Sequence, residues 1–237
     1  DALGRKTSET GPDPDGEGPL ATPVTYYSYD AAGNLSITTD PRGAKTIDSY
    51  DARDRNIIDR TLDPGEAITS ITVNGTTATA TITNHGYQVG DVLEVAGASN
   101  GFDGVVTVLS VVDASHFTFA AGSRMGTATG GNTYRRLALT LYNYDADGEL
   151  TGVTRQLNLQ DGSVAETTTY AYDALGRKTS ETGPDPDGAG PLAAPVTRYA
   201  YDAVGNMLTV TDPNGHTTRY SYDALNRQVA EIQLGAT

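Results

Sequence analysis

The dipeptide Tyr-Asp recurs along this chain, and each copy is followed by the residues of a tight turn. In Tyr199-Ala-Tyr201-Asp202 the two tyrosines are two residues apart, so both point to the same face of a pleated strand. Asp202 supplies an acceptor for backbone N–H groups, and Gly205 can take a positive φ without steric cost. The motif therefore predicts a strand that ends in a type I turn closed by a glycine bulge.

The motif is repeated closely enough to predict a repeat architecture. The chain opens on Asp1-Ala-Leu-Gly-Arg, which is the same turn without its tyrosine, and the spacings between successive aspartates are 29, 21, 94, 28, 29 and 21 residues. A second turn signal, Asp-Pro-x-Gly, closes the other end of a hairpin at Asp40 and Asp212. We therefore expect an antiparallel meander of β-hairpins. The Tyr-Asp pairs lie at Tyr29-Asp30, Tyr50-Asp51, Tyr144-Asp145, Tyr172-Asp173, Tyr201-Asp202 and Tyr222-Asp223.

The pattern Tyr-Asp-x-x-Gly-[Arg/Asn], followed by a short strand and Asp-Pro-x-Gly, resembles the Rhs or YD-repeat family. This family includes bacterial Rhs proteins, the shell-forming subunits of insecticidal toxin complexes, and teneurins. The resemblance covers residues 1–66 and 136–237. It implies an all-β fold in which the hairpin meander forms a spiralling sheet, rolled into a tube or a shell. The family's carboxy-terminal core, which carries autoproteolysis, has no counterpart here, so the resemblance implies no enzymatic activity.

Residues 67–135 differ in composition and are predicted to be an inserted small β-barrel or β-sandwich domain. All three phenylalanines of the chain lie in this stretch, and it contains no lysine. Asn74-Gly75 between alternating β-branched residues predicts a hairpin, and valine-rich and Phe-Thr-Phe runs predict three more strands. The stretch resembles a small β module of phage-tail-like and bacterial surface proteins. Its ends are expected to lie close together, because a host turn tolerates an insert only in that geometry.

Composition limits the classes of partner. The net charge of −14 argues against nucleic acid, because a polyanion repels this chain and releases no counterions on binding it. No apolar run reaches 18 residues, so no membrane-spanning helix is expected. The chain has no cysteine, which excludes disulfides and thiolate metal sites.

One acidic loop is a candidate calcium site. Asp13, Asp15 and Glu17 alternate with proline and glycine, which places oxygen ligands on a bent loop suited to a hard cation. The second copy of the loop keeps Asp185 and Asp187 but has alanine in place of the third acid. A plain Pro-Gly surface loop is the favoured interpretation, with calcium as the alternative, and no other cofactor is expected.

No catalytic residues are predicted. His85, His116 and His216 stand apart in different elements, and a histidine of this kind is usually a turn or rim residue. The acids of Tyr-Asp and Asp-Pro have a sufficient explanation as turn caps. An enzyme is therefore the least favoured function class.

Two functions remain: a structural scaffold, which we favour, and a module whose tyrosine faces or insert bind glycans or a partner surface. Buried tyrosine rows would favour the scaffold, and they are expected to stack in cross-strand ladders. Residues 173–237 repeat residues 1–65 at an offset of 172. We therefore expect a window on a longer bacterial, extracellular or cell-surface fibre or tube, built from further copies of one block, in which the insert recurs. A shell that encloses a toxin is the remaining alternative.

Overall fold

The computed structural model describes residues 1–15, 21–157, 165–188 and 190–236. Within these residues the regular structure consists of β-strands, without a helix, and the printed pairings are antiparallel. The predicted all-β antiparallel meander is therefore confirmed. Contacts divide the chain into two compact units, one built on Asp1–Thr140 and one on Leu141–Arg155 with Ala165 onward. None of the described segments is a helix long and apolar enough to cross a membrane.

The first unit opens with five repeat strands. Each strand pairs with the next, and the turns begin at Asp30, Asp40 and Asp51. The strand limits predicted for residues 24–29, 35–39 and 45–50 agree with the structure, because the turn residues on both sides leave little choice of register. The strands are β1 (Ser8–Thr10), β2 (Val24–Tyr29), β3 (Leu35–Thr39), β4 (Lys45–Tyr50) and β5 (Asn56–Leu62).

The stretch predicted to be an insert is built from two sheets. Its strands are β6 (Glu66–Ala67), β7 (Ser70–Asn74), β8 (Thr77–Thr81), β9 (Val92–Ala96), β10 (Gly104–Asp113), β11 (His116–Ala120) and β12 (Thr127–Ala128). The hairpin predicted at Asn74-Gly75 is present, with Asn74 opposite Thr77. Strand β10 pairs with β9 in one sheet and with β11 in the other, and shifts register near Val108 and Ser110. The bulge lets one long strand bend into both sheets.

The two sheets enclose the hydrophobic core of the chain. Alternate residues of β8, β9, β10 and β11 point inward, as in Phe117 and Phe119, which are both fully buried. Such alternation is what a strand with one covered face requires. The core consists of Ile68, Ile71, Ala78, Ala80, Ile82, Tyr87, Leu93, Val95, Phe102, Val106, Val108, Phe117, Phe119, Ala121 and Ala128.

A long strand, β13 (Asn132–Tyr144), connects this core to the repeats. It begins five residues earlier than the predicted strand at Leu137, because residues 132–135 pair with β6 and β9. Asn132 lies opposite Ala67, so the two ends of the inserted stretch are neighbours. Strand β13 also pairs with β5. The three-part division at residues 66 and 136 stays a prediction.

The second unit continues the meander beyond the Asp145 turn. Its strands are β14 (Leu150–Leu157), β15 (Glu166–Tyr172), β16 (Lys178–Thr182), β17 (Val196–Tyr201), β18 (Met207–Thr211), β19 (Thr217–Tyr222) and β20 (Gln228–Leu234), each paired with the next. The turn predicted at Gln160-Asp-Gly-Ser lies outside the described residues. Among described residues 165–236 no side chain is buried. Hydrogen bonds and half-buried side chains therefore hold this sheet.

Candidate functional site

The aspartate of each Tyr-Asp motif organises the turn that follows it. In the Asp202 turn, one carboxylate oxygen accepts the backbone N–H groups of Val204 and Asn206, at 3.0 and 2.8 Å. The other oxygen accepts the side-chain amide of Asn206 at 2.9 Å. Gly205 sits between them with φ of 100°, a conformation that favours glycine. One side chain thus satisfies three donors of a turn that has few other partners.

The same arrangement recurs at the other turns, with arginine as the usual partner four residues after the aspartate. In the Asp51 turn, a hydrogen bond from Arg55 lowers the pKa of Asp51 to about 2. Backbone and side-chain bonds from Arg227 likewise lower the pKa of Asp223. Each motif aspartate of this kind is therefore ionised and engaged at neutral pH, which confirms its interpretation as a turn cap. Asp1, Asp40, Asp173 and Asp212 cap their turns in the same way.

Neighbouring turns are linked to one another. Arg177 donates to the backbone carbonyl of Asp202 at 2.8 Å, from one turn to the next. Asn206 donates to the side chain of Asn226 at 3.0 Å. Asn34 makes the equivalent bond to Asp54 in the first unit, at 2.9 Å. The residue at the fifth turn position therefore has two roles, because it neutralises its own aspartate and contacts the following turn.

The tyrosine of the Tyr-Asp pair has a role that the sequence analysis missed. Its hydroxyl donates to a backbone carbonyl on the preceding strand, always that of the residue five positions after the preceding motif aspartate. The signal was present in the spacing, because one acceptor position recurs in every copy. The five bonds, 2.7–3.0 Å long, are Tyr29 to Lys6, Tyr50 to Leu35, Tyr172 to Leu150, Tyr201 to Lys178 and Tyr222 to Met207.

The predicted tyrosine ladder is wrong. Tyrosine strands alternate with strands of another composition, so Tyr199 lies opposite Val210 and Tyr201 opposite Met207. Strands that share the motif are therefore two inter-strand spacings apart, beyond direct ring contact. Cations fill the space between them. The ammonium group of Lys178 lies 4.8 Å from the ring centre of Tyr199 and 5.5 Å from that of Tyr170.

The residues of the predicted calcium site are placed only in part. Asp13 accepts the backbone N–H of Asp15, and Asp185 accepts that of Asp187, as ordinary turn caps do. Glu17 lies outside the described residues. Over the part of the chain that the structure describes, no group of three or more His, Asp or Glu side chains could hold a metal ion. Calcium binding at Asp13, Asp15, Glu17, Asp185 and Asp187 stays a prediction.

Two of the three histidines are surface residues, and the third corrects the prediction. His116 and His216 each pair with an aspartate of their own turn. His85 was expected on a turn or rim, but it is 2% exposed. Its ring stacks on Tyr87 at 5.1 Å, and its Nδ1 accepts the backbone N–H of Tyr87. Packing of the loop onto the core buries His85, and a single sequence carries no periodic signal for this.

A polar cluster joins the inserted stretch to the repeats. Arg135 contacts Asp91 through Nε at 3.3 Å and the carbonyl of Gly86 through Nη2 at 2.7 Å, while its guanidinium lies over the ring of Tyr87. The backbone N–H of Asp63 donates to the carbonyl of Arg135 at 3.0 Å. Burial raises the pKa of Asp63. Asp63-Pro-Gly therefore leads into the insert instead of closing a hairpin.

An aromatic contact lies beside this cluster. A β-carbon on Gly65 would come within 2.2 Å of the ring of Tyr134, so only glycine fits there. Lys45 donates to the hydroxyl of Tyr134 at 2.8 Å and lies 4.5 Å from its ring centre. Sequence reasoning did not identify these junction residues, since Lys45 and Tyr134 are 89 positions apart.

Comparison with known proteins identifies the repeats. The family model described as RHS Repeat matches residues 144–188, 195–217 and 201–235. No curated protein matches the chain. The solved structures that it resembles include TcdB2-TccC3-TEV, with 16% identity over 88% of this chain and 13% of that one, and a TM-score of 0.25. Phage phi92 endosialidase is 14% identical over 88% of this chain and 43% of that one, with a TM-score of 0.24. The chain thus spans less than half of either structure.

Proposed function

Since the chain carries repeats of the RHS family, we propose that it is a structural scaffold. In this proposal it is a segment of a bacterial, extracellular fibre or tube built from tandem blocks of 172 residues. The observation that carries the proposal is the agreement between the two copies of the block. Strands β2, β3, β4 and β5 reappear as β17, β18, β19 and β20, with the same limits at the same offset.

The chemistry of the motif supports a structural role. The aspartates hold their own turns, and the hydroxyls of Tyr172 and Tyr201 hold backbone carbonyls. Four tyrosines were to discriminate scaffold from binding surface, namely Tyr170, Tyr172, Tyr199 and Tyr201, and all four are half-buried. A glycan platform needs aromatic faces and hydroxyls that are free to contact a ligand. The engaged tyrosines therefore favour the scaffold over the glycan-binding alternative.

The distribution of buried residues supports assembly from neighbouring copies. Apart from Leu62 and Val153, the fully buried apolar side chains among the described residues lie between Ile68 and Tyr134. The repeat strands of the second unit have no core of their own. Repeat proteins of this kind gain stability from nearest-neighbour contacts along the array. We therefore assign the repeats to the body of the assembly, and any recognition of a partner to the inserted stretch.

The test is to measure how particle dimensions grow with the number of blocks. Proteins of one, two and three 172-residue blocks should give particles whose length increases by a constant step in electron micrographs and X-ray scattering. An insert that recurs would add one evenly spaced protrusion per block. Closed particles with an internal space would contradict the fibre and favour the toxin-enclosing shell. Binding on a glycan array that is lost when the insert is deleted would instead support the binding module.

A further inference from the structure

Strand β20 differs from the other strands that follow a motif turn. Each of those strands is paired on its second edge with the strand of the next motif, as β16 is with β17 and β18 with β19. Even β5 obeys this rule, because β13, its partner, ends in Tyr142-Asn-Tyr144 before Asp145. Strand β20 pairs with β19, and within the described chain its other edge has no partner strand.

The pairing rule fixes a register as well as a partner. In five pairs, the residue seven positions after a motif aspartate lies opposite the residue three positions before the next motif tyrosine. For β20 the rule selects Ala230, which follows Asp223 by seven. The pairs are Ser8 with Tyr26, Ile37 with Ile47, Gly152 with Thr169, Ser180 with Arg198 and Thr209 with Arg219.

The tyrosine rule selects an acceptor on the same edge. Five motif tyrosines donate to the carbonyl five positions after the preceding aspartate, as Tyr222 does to Met207. Counting from Asp223, the next such acceptor is the carbonyl of Gln228. Among the described residues no tyrosine hydroxyl reaches it. The edge of β20 therefore presents both halves of the recognition pattern, a pairing register and a carbonyl placed to accept a tyrosine hydroxyl.

Exposure along β20 shows that this edge lacks a neighbour. Leu234 is 40% exposed, whereas Leu62, its counterpart on β5, is 1% exposed where β13 and the insert cover it. An open cleft of about 480 Å³ lies beside Leu234, lined also by Thr218 and Gln233. Ile232 on the same strand is 53% exposed. Apolar side chains on an unpaired edge are unfavourable in a finished sheet.

We propose that the free edge of β20 is a docking site for the Tyr-x-Tyr-Asp strand of a further repeat. The incoming tyrosine donates to the carbonyl of Gln228, and the residue three positions before it lies opposite Ala230. An insert-type junction does not form here, because Gly235 and Ala236 stand where Asp63 and Pro64 contact β13 and Gly43 in the first copy. The inference rests on the proposed scaffold function and specifies which surface joins successive repeats.

The test adds a motif strand to the intact chain and measures amide hydrogen exchange in β20. A copy of residues 183–206, which carries the loop and strand of β17, is appended after Thr237. Tethering raises the effective concentration of the strand, so weak intrinsic affinity does not hide docking. Exchange at residues 228–234 is expected to slow at least tenfold relative to the chain of residues 1–237.

Two matched variants identify the contact. An appended copy with Tyr201→Phe should lose about fivefold of the added protection, the effect of one hydrogen bond. A copy with a scrambled strand should give none. Unchanged exchange in β20 with the intact copy would overturn the proposal, as would equal protection by the scrambled copy. If β20 stays unprotected while multi-block proteins still lengthen regularly, the scaffold stands and the joint lies elsewhere. Protection that appears at high concentration without the appended copy would identify a second molecule as the source of the strand.

Discussion

The hydroxyl of Tyr201 donates a 2.9 Å hydrogen bond to the backbone carbonyl of Lys178, twenty-three residues earlier in the chain. This bond ties β17 to the beginning of β16, next to the preceding turn. Its four counterparts do the same for other strand pairs. The tyrosine of the motif thus joins consecutive hairpins, while the aspartate holds the turn within one hairpin. The two conserved chemistries of the motif are local and inter-strand.

The first prediction tests the tyrosine hydroxyl. Tyr201→Phe keeps the ring but removes the donor, so it should lower the free energy of unfolding by about 1 kcal/mol. Urea denaturation of the chain measures the change. Tyr26, which is 56% exposed, provides the control, and Tyr26→Phe should leave stability unchanged. Equal effects of the two substitutions would show that the hydroxyl of Tyr201 contributes nothing.

The second prediction concerns two acids that face one another. Asp48 on β4 lies directly opposite Asp59 on β5. Burial and a hydrogen bond with Asp59 raise the pKa of Asp48 from 3.8 to about 6. Between pH 4 and 6 the folded chain therefore holds a proton that the unfolded chain releases, so stability falls as pH rises through this range. Asp48→Asn should stabilise the protein above pH 6, and this gain should vanish near pH 4.

Asp51 gives the control of opposite sign. Its pKa is lowered to about 2 by Arg55, so its contribution is present above pH 4 and is lost as pH falls toward 2. Asp51→Asn should therefore destabilise the protein at neutral pH, and the loss should shrink in acid. Thermal melting from pH 2 to 7 measures both variants. Parallel pH profiles for the two substitutions would contradict the assignment of both shifts.

The sequence predicts much of this fold because the turn residues are local signals. Strands β2, β3 and β4 have their predicted limits, since an aspartate and a positive-φ residue mark each end. The direction of each tyrosine was also predictable, but its hydroxyl partner depends on which strand lies alongside. The pairing of β13 with β5 and the burial of His85 depend on contacts that are distant in sequence. Such contacts leave no periodic pattern in one chain.

The third prediction concerns a turn that departs from the repeat. Glu149 occupies the position at which other turns have arginine or asparagine. Desolvation and the neighbouring carboxylate of Asp145 raise the pKa of Glu149. Glu149→Asn should therefore raise the melting temperature at pH 7, with a smaller gain in acid, where glutamate is protonated. The reverse exchange, Asn206→Glu, should lower it. A fall in melting temperature for Glu149→Asn would show that Glu149 makes a favourable contact in its own right.

The fourth prediction is that residues 67–135 fold when expressed alone. Their core is formed within the stretch, and their ends meet where Ala67 pairs with Asn132. The isolated stretch should give a β-type circular dichroism spectrum and a cooperative thermal transition. Phe117→Ala, which removes about 3–5 kcal/mol from a buried site, should abolish that transition. An unfolded stretch would show that the repeats are needed to form the insert.

The last prediction compares two glycines that are required for different reasons. A β-carbon at Gly65 would collide with the ring of Tyr134, whereas one at Gly205 would meet open space but at φ of 100°. Gly65→Ala overpacks the junction and should cost about 1–3 kcal/mol, and Gly205→Ala strains the backbone by about 1–2 kcal/mol. Replacing Tyr134 with alanine separates the two causes, because it removes the obstacle at Gly65 alone. In the Tyr134→Ala background, Gly65→Ala should become nearly neutral, while Gly205→Ala keeps its full cost. A double-mutant cycle in urea measures the coupling, and its absence would place the constraint at Gly65 in the backbone.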